Sequence, residues 1–275
     1  MDTIQLPIIV TTVVYLLSTA SYFLYLFFQK MPIHRIGHLL LSAGFLCNTA
    51  LIVIGYIHSG HLPVQNLHET LIFAGWALSG SFLAFQYKFR LRVLGVFAAP
   101  LAAVLLLAAF LTPAEPNPNI TMFKSFWLVS HVVAIFLGEA LFALACGLGV
   151  LYLVQERAIK SKRPGFFFRR LPSLDLLDSG GYVCIASGFV LLSVGLITGV
   201  VYAKTVWGRF WSWDPKEVWS GITWLLYAAL IHGRLTVGWR GRKSAFMAIL
   251  GFVAVMFTFL GVNFLLTGHH GDFTR

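Results

Sequence analysis

Long apolar runs dominate this sequence, and they leave few folds open to it. A helix that crosses a bilayer needs ~20 mostly apolar residues to span a hydrocarbon core of ~30 Å. Runs of that length, bounded by charge, proline or polar clusters, recur eight times: near 7–28, 37–57, 67–87, 93–112, 126–154, 182–203, 218–235 and 244–266. In lipid the backbone must satisfy its own hydrogen bonds, which a helix does within one segment. With 58% hydrophobic and 11% charged residues, the chain has too little polar surface to clothe a soluble fold. The expected fold is all-α: an integral membrane bundle of eight transmembrane helices, one polytopic domain over residues 1–275. The first run is too long and too weakly basic at its start for a cleaved signal peptide, and counts as a span.

The net charge of +10 is distributed by topology. Lys and Arg accumulate in cytoplasmic loops, and here fifteen of the twenty lie in one alternating set of loops, which includes Lys30, Lys88, Arg157, Arg170, Arg234 and Lys243. The other set has Lys124, Lys204, Arg209, Lys216 and Arg275. Both termini are thereby expected outside the cytoplasm, together with the loops near 58–66, 113–125 and 204–217. Orientation and anionic headgroups account for the basic loops, so nucleic acid is not an expected partner. Cys47, Cys146 and Cys184 fall inside apolar runs and form no CxxC pair, which points away from thiol exchange. The chain also lacks CxxCH and so is not itself a c-type cytochrome.

The most unusual segment lies between the sixth and seventh runs, WGRFWSWDPKEVW, with Trp207, Trp211, Trp213 and Trp219. An aromatic belt at the headgroup level accounts for Trp219 and Trp207. It accounts poorly for the cluster inside the loop, which reads as a flat apolar platform for a planar aromatic ligand. Asp214, Pro215 and Glu217 have the order of a helix start: Asp at the N-cap, Pro at the first position and Glu at the third.

Taken whole, WGRFWSWDPKEVWSGITWLLYAALIHGR resembles the WWD region of the CcsA (ResC) proteins of cytochrome c biogenesis, within the superfamily of haem handlers that includes CcmC and CcmF. Pro63, Asn66 and Glu69 in LPVQNLHETLIF are similar to that family's P-N-E pattern. The resemblance implies a haem-binding and haem-translocating subunit of a cytochrome c synthase, with haem b as cargo and substrate. The WWD loop would present reduced haem for attachment to the cysteines of an apocytochrome c carrying CxxCH. It further implies a CcsB (ResB)-type membrane partner, a thioredoxin-like reductant, and residence in a cytoplasmic or thylakoid-type membrane with the loop on the extracytoplasmic side. No acid, base or nucleophile constellation marks the chain as a self-contained enzyme. A CcmC-like exporter that passes haem to a chaperone is the competing reading; a general transporter or a b-type electron carrier fits less well.

Nine histidines invite a metal reading, since imidazole is a common axial ligand of haem iron. His34 and His38 flank a basic loop, and His58, His61 and His68 lie on or beside an outer loop; none is favoured as a ligand. His131 begins the fifth run, and His270 or its neighbour His269 follows the eighth on the same side, so the two could flank the tryptophan loop. The resemblance assigns His131 and His270 as the outer pair of haem iron ligands, and His232 as a ligand inside the membrane whose mate lies on the partner. His232 falls fifteen residues past Glu217, ~22 Å along a helix. With these three histidines, the tryptophans and Asp214 complete the expected cofactor-binding set. Glu139, deep in the fifth run, is a buried carboxylate that needs a partner.

Overall fold

The computed structural model describes residues 5–113, 125–161 and 165–261. Its α-helices are α1 (Gln5–Phe28), α2 (Met31–Ser59), α3 (Leu67–Phe89), α4 (Gly95–Leu111), α5 (Phe126–Lys160), α6 (Leu174–Trp207), α7 (Pro215–Thr236) and α8 (Arg242–Met256). A π-type turn, Phe257–Gly261, continues α8. Six of these helices are long and apolar enough to cross a membrane: α1, α2, α4 with the turn before it, α5, α6 and α8 with the turn after it. The chain is a multi-pass membrane protein. With 23 and 22 residues, α3 and α7 have the length but not the apolarity.

The distribution of side chains on α1 is that of a lipid-facing helix. Its buried positions include Thr11, Thr12, Tyr15, Ser18 and Tyr22, while Leu6, Val10, Val13, Leu16, Leu17 and Leu24 are exposed. Outside a helix in lipid there is nothing to avoid, so the apolar residues face outward and the polar ones find partners within.

Three ends lie six or more residues beyond the reading of the sequence: the start of α2, at Met31 rather than 37, the end of α5 and the start of α6. α5 continues to Lys160 and α6 starts at Leu174, where Ser173 accepts the Leu176 N–H as N-cap. The apolar runs were expected to stop at 154 and begin at 182. The intervening QERAIK and LDLLDSGG are too polar for lipid but still helical, so α5 and α6 extend past a ~30 Å core.

The helices fall into two compact units, residues 1–124 and 125–275. In the first, the Tyr15 hydroxyl on α1 lies 2.9 Å from Ser79 Oγ on α3, and Ser18 donates to the Gly37 carbonyl of α2 at 2.8 Å. In the second, α5 and α6 run antiparallel at close range. A Cβ added at Gly195 would stand 2.6 Å from Ile135, one at Gly188 2.8 Å from the Phe142 ring, and one at Gly138 3.1 Å from the Gly188 carbonyl. Small residues at such a seam let two backbones approach, which stands in for the hydrophobic drive that lipid does not supply. α7 is tied to this pair by Trp224, whose indole donates to Ser193 Oγ on α6 at 2.9 Å, and by Tyr227, stacked on Phe142 of α5 at 3.6 Å. Thr223 and Thr258 join α7 to the turn after α8 at 3.1 Å.

Candidate functional site

The tryptophan loop is clamped at both ends by ordinary helix chemistry. α6 stops at Gly208, whose left-handed φ of 73° lets its N–H reach the Lys204 carbonyl at 3.1 Å. The Lys204 ammonium returns to the Gly208 carbonyl at 2.8 Å and lies 5.2 Å above the Phe210 ring. At the other end the capping box forms as the sequence order implies: Asp214 accepts the Lys216 N–H at 2.9 Å, and Glu217 accepts the Asp214 N–H at 3.3 Å. Glu217 also accepts from the Ser212 N–H at 2.8 Å and its hydroxyl at 2.9 Å, so one carboxylate organises the last three residues of the loop.

The four tryptophans separate into two kinds. Trp207 meets Tyr202 edge-on at 6.4 Å and Trp219 packs against Phe257 at 4.4 Å, so both are part of the helix packing. Trp211 and Trp213 project from the loop, the latter 78% exposed, with ring centroids 5.9 Å apart and planes at 87°. The expected flat platform is therefore a corner. A planar ligand can lie on the face of one indole and meet the edge of the other, a favourable arrangement for an aromatic quadrupole. Trp213 also has φ 59°, a left-handed backbone that turns its side chain out of the loop. Nothing in the sequence announces that turn.

His131 lies on α5 at the end of the unit that carries the loop. Its Nδ1 is 2.7 Å from the Gly195 carbonyl of α6. A carbonyl oxygen only accepts, so Nδ1 is assigned the proton and Nε2 the lone pair, the nitrogen an axial ligand uses. Gly195 stands twelve residues before Trp207, ~18 Å along α6, placing the imidazole below the loop rather than in it.

His232 occupies the opposite end of α7, on an exposed stripe with Ile222, Leu225 and Ala229. Arg234, two residues on, turns inward. It belongs to the basic set of loops in the sequence, and in the structure it makes a two-pronged ion pair with Asp178 of α6 at 2.8 and 3.0 Å, over the Tyr182 ring at 4.4 Å. Asp178 also accepts the Gly241 N–H at 2.8 Å, which closes the turn between α7 and α8. Glu139 lies within electrostatic reach of Lys216, the second residue of α7. Sequence reasoning left that carboxylate without a partner because Lys216 is 77 positions away.

Four of the remaining histidines have structural partners, and His58 is exposed at the end of α2. His68 donates to the Ala109 carbonyl at 2.7 Å, His61 bonds Gln65 at 2.6 Å, and His34 lies 3.3 Å from the Gln86 amide and stacks on His38. His269 and His270 lie outside the described residues.

Residues 64–270 match the family model described as cytochrome c assembly protein. The chain belongs to the cytochrome c assembly protein family. Among its relatives, the cytochrome c biogenesis protein CcsA of Guillardia theta is 37% identical over 285 residues, covering 95% of this chain and 93% of that one. CcsA of Gloeothece citriformis is 35% identical, covering 82% and 83%, and CcsA of Gloeobacter violaceus 32%, covering 93% and 91%. Among solved structures, the cytochrome c haem lyase CcmF superimposes with a TM-score of 0.65 at 18% identity, over 99% of this chain and 49% of that one. The chain spans about half the length of that structure, and the likeness shows the fold alone.

Proposed function

We propose that this CcsA-type chain binds haem b as cargo at the loop-bearing end of α5, α6 and α7 and presents it for covalent attachment to apocytochrome c. The observation that carries the reading is His131: a hydrogen bond to the Gly195 carbonyl leaves Nε2 with its lone pair, two exposed indoles lie at the same end of the unit, and the family is one of cytochrome c assembly. Among the described residues no three His, Cys, Asp or Glu side chains gather as a bare metal ion would need, whereas haem asks of the protein only axial nitrogens and a surface to lie on. His270 supplies the second outer nitrogen. His232 serves a separate inner site whose other half comes from a CcsB-type partner, consistent with its place on an exposed stripe of α7. The chain contributes orientation and protection; the thioether chemistry belongs to the haem vinyl groups and the thiols of CxxCH.

The test is the absorption spectrum of haem co-purified with the full chain, alongside cytochrome c yield in cells. His131→Ala is expected to lose the low-spin spectrum and to gain a coordination position that added imidazole fills. Trp211→Ala or Trp213→Ala is expected to lower the haem retained while the protein still reaches the membrane. Wild-type spectra and yields in all three would end the reading.

A further inference from the structure

Resting on the reading of His131 as a haem ligand, we infer that Gly195 and Gly199 of α6 are positioning residues that form a seat for its imidazole: Gly199 supplies the room and Gly195 the hydrogen-bond acceptor. A Cβ built at Gly199 would stand 2.6 Å from His131 Nδ1 and 2.8 Å from Cε1, closer than real Cβ contacts occur. The ring thus occupies the space a side chain would fill. Gly195, one turn earlier, accepts the Nδ1 proton at 2.7 Å, and the Thr198 hydroxyl meets the same carbonyl at 3.0 Å.

The register of the two helices explains why both glycines are needed. α5 and α6 are antiparallel, and a step of four residues from His131 to Ile135 is matched by a step back from Gly199 to Gly195, each glycine opposite the larger residue. An alanine at 199 would drive the imidazole away from the Gly195 carbonyl, releasing the bond that fixes both the ring plane and the tautomer. Such a partner on the far nitrogen orients an imidazole and raises the basicity of the ligating one.

Purified full-length Gly199→Ala, Gly188→Ala and His131→Ala, each loaded with haem, separate the seat from general packing. Gly188 is the control, because its Cβ would stand 2.8 Å from Phe142 in the same seam but about three turns away. The seat requires Gly199→Ala to lose the low-spin spectrum and to titrate with imidazole as His131→Ala does, while Gly188→Ala keeps the wild-type spectrum. A wild-type spectrum in Gly199→Ala beside a lost one in His131→Ala overturns the seat and leaves the ligand reading standing. Equal losses in the two glycine variants overturn it in favour of packing. An unchanged spectrum in His131→Ala removes the ligand reading and the seat with it. Should Gly199→Ala fail to accumulate, His131→Gly can be titrated with imidazole, which donates to Gly195, and with 1-methylimidazole, which has no N–H. Normalised to free haem in the same detergent, imidazole should half-saturate at about fivefold lower concentration, the worth of one neutral hydrogen bond; equal normalised affinities overturn the proposal.

Discussion

Trp213 holds a left-handed backbone with φ 59° while 78% of its surface stays exposed, so its conformation is set by the clamp around it and not by its own packing. A non-glycine residue there costs ~1 kcal/mol. Trp213→Gly is accordingly expected to keep or raise the melting temperature of the purified protein while lowering haem retention; Trp213→Ala should lower haem without the gain. A fall in melting temperature with glycine would show that the ring supports the fold. What the sequence carried at this scale was residue type and order: the Trp-Ser-Trp-Asp-Pro-Lys-Glu run announces aromatic surface and a capped helix start. It could not show that the two exposed indoles stand at right angles, because that follows from the left-handed turn. Nor could it show which nitrogen of His131 carries the proton, since the deciding acceptor, Gly195, is 64 residues away.

At the scale of elements, α7 connects the two ends of the second unit, with the capping box at one and the Arg234–Asp178 pair at the other. Side-chain exposures of 10% and 12% keep most of that pair out of solvent, so removing one partner leaves the other charge largely unsolvated. Asp178→Ala is expected to cost ~3–5 kcal/mol, and replacing both partners with apolar residues much less; thermal unfolding in detergent measures the difference. A double-variant cost equal to the sum of the two single costs would mean that the two residues act separately. Asp214→Ala at the other end should cost ~1 kcal/mol, the usual worth of an N-cap. The existence of all the helices was legible in the apolar runs, and their ends were less so. Hydropathy reports where lipid stops, whereas caps such as Ser173 decide where a helix stops. The same distinction explains α3 and α7. Each packs as a helix within its own unit, yet His68, Glu69 and Lys88 in α3 and Lys216, Glu217 and Arg234 in α7 dilute their apolarity below that of the other six.

For the whole molecule, orientation and the number of haem sites are linked expectations. If the alternating basic loops face the cytoplasm, a reporter fused after Arg275 or inserted near Asn117 should read as extracytoplasmic and one near Lys162 as cytoplasmic; the reverse pattern would put the tryptophan loop on the wrong side for apocytochrome c. Depth then separates the histidines. His232 is ~22 Å along α7 from Glu217, with its side chain on the exposed stripe, and a histidine facing lipid alone would carry a solvation cost with no return. On the proposed function, a partner helix over that stripe would remove the cost and complete the inner site. His232→Ala should therefore reduce haem only in preparations made with the CcsB-type partner, and whatever haem reaches the loop should keep the wild-type spectrum. His131→Ala should alter the spectrum with or without the partner, because the contacts that seat its ring include Gly195 and Gly199 of this chain's own α6. Imidazole added to cells should rescue His131→Ala more readily than His232→Ala, since the inner site would be enclosed between helices of two proteins. One identical defect in both variants would replace the two-site channel with a single site, and a partner-independent defect in His232→Ala would place the inner site within this chain.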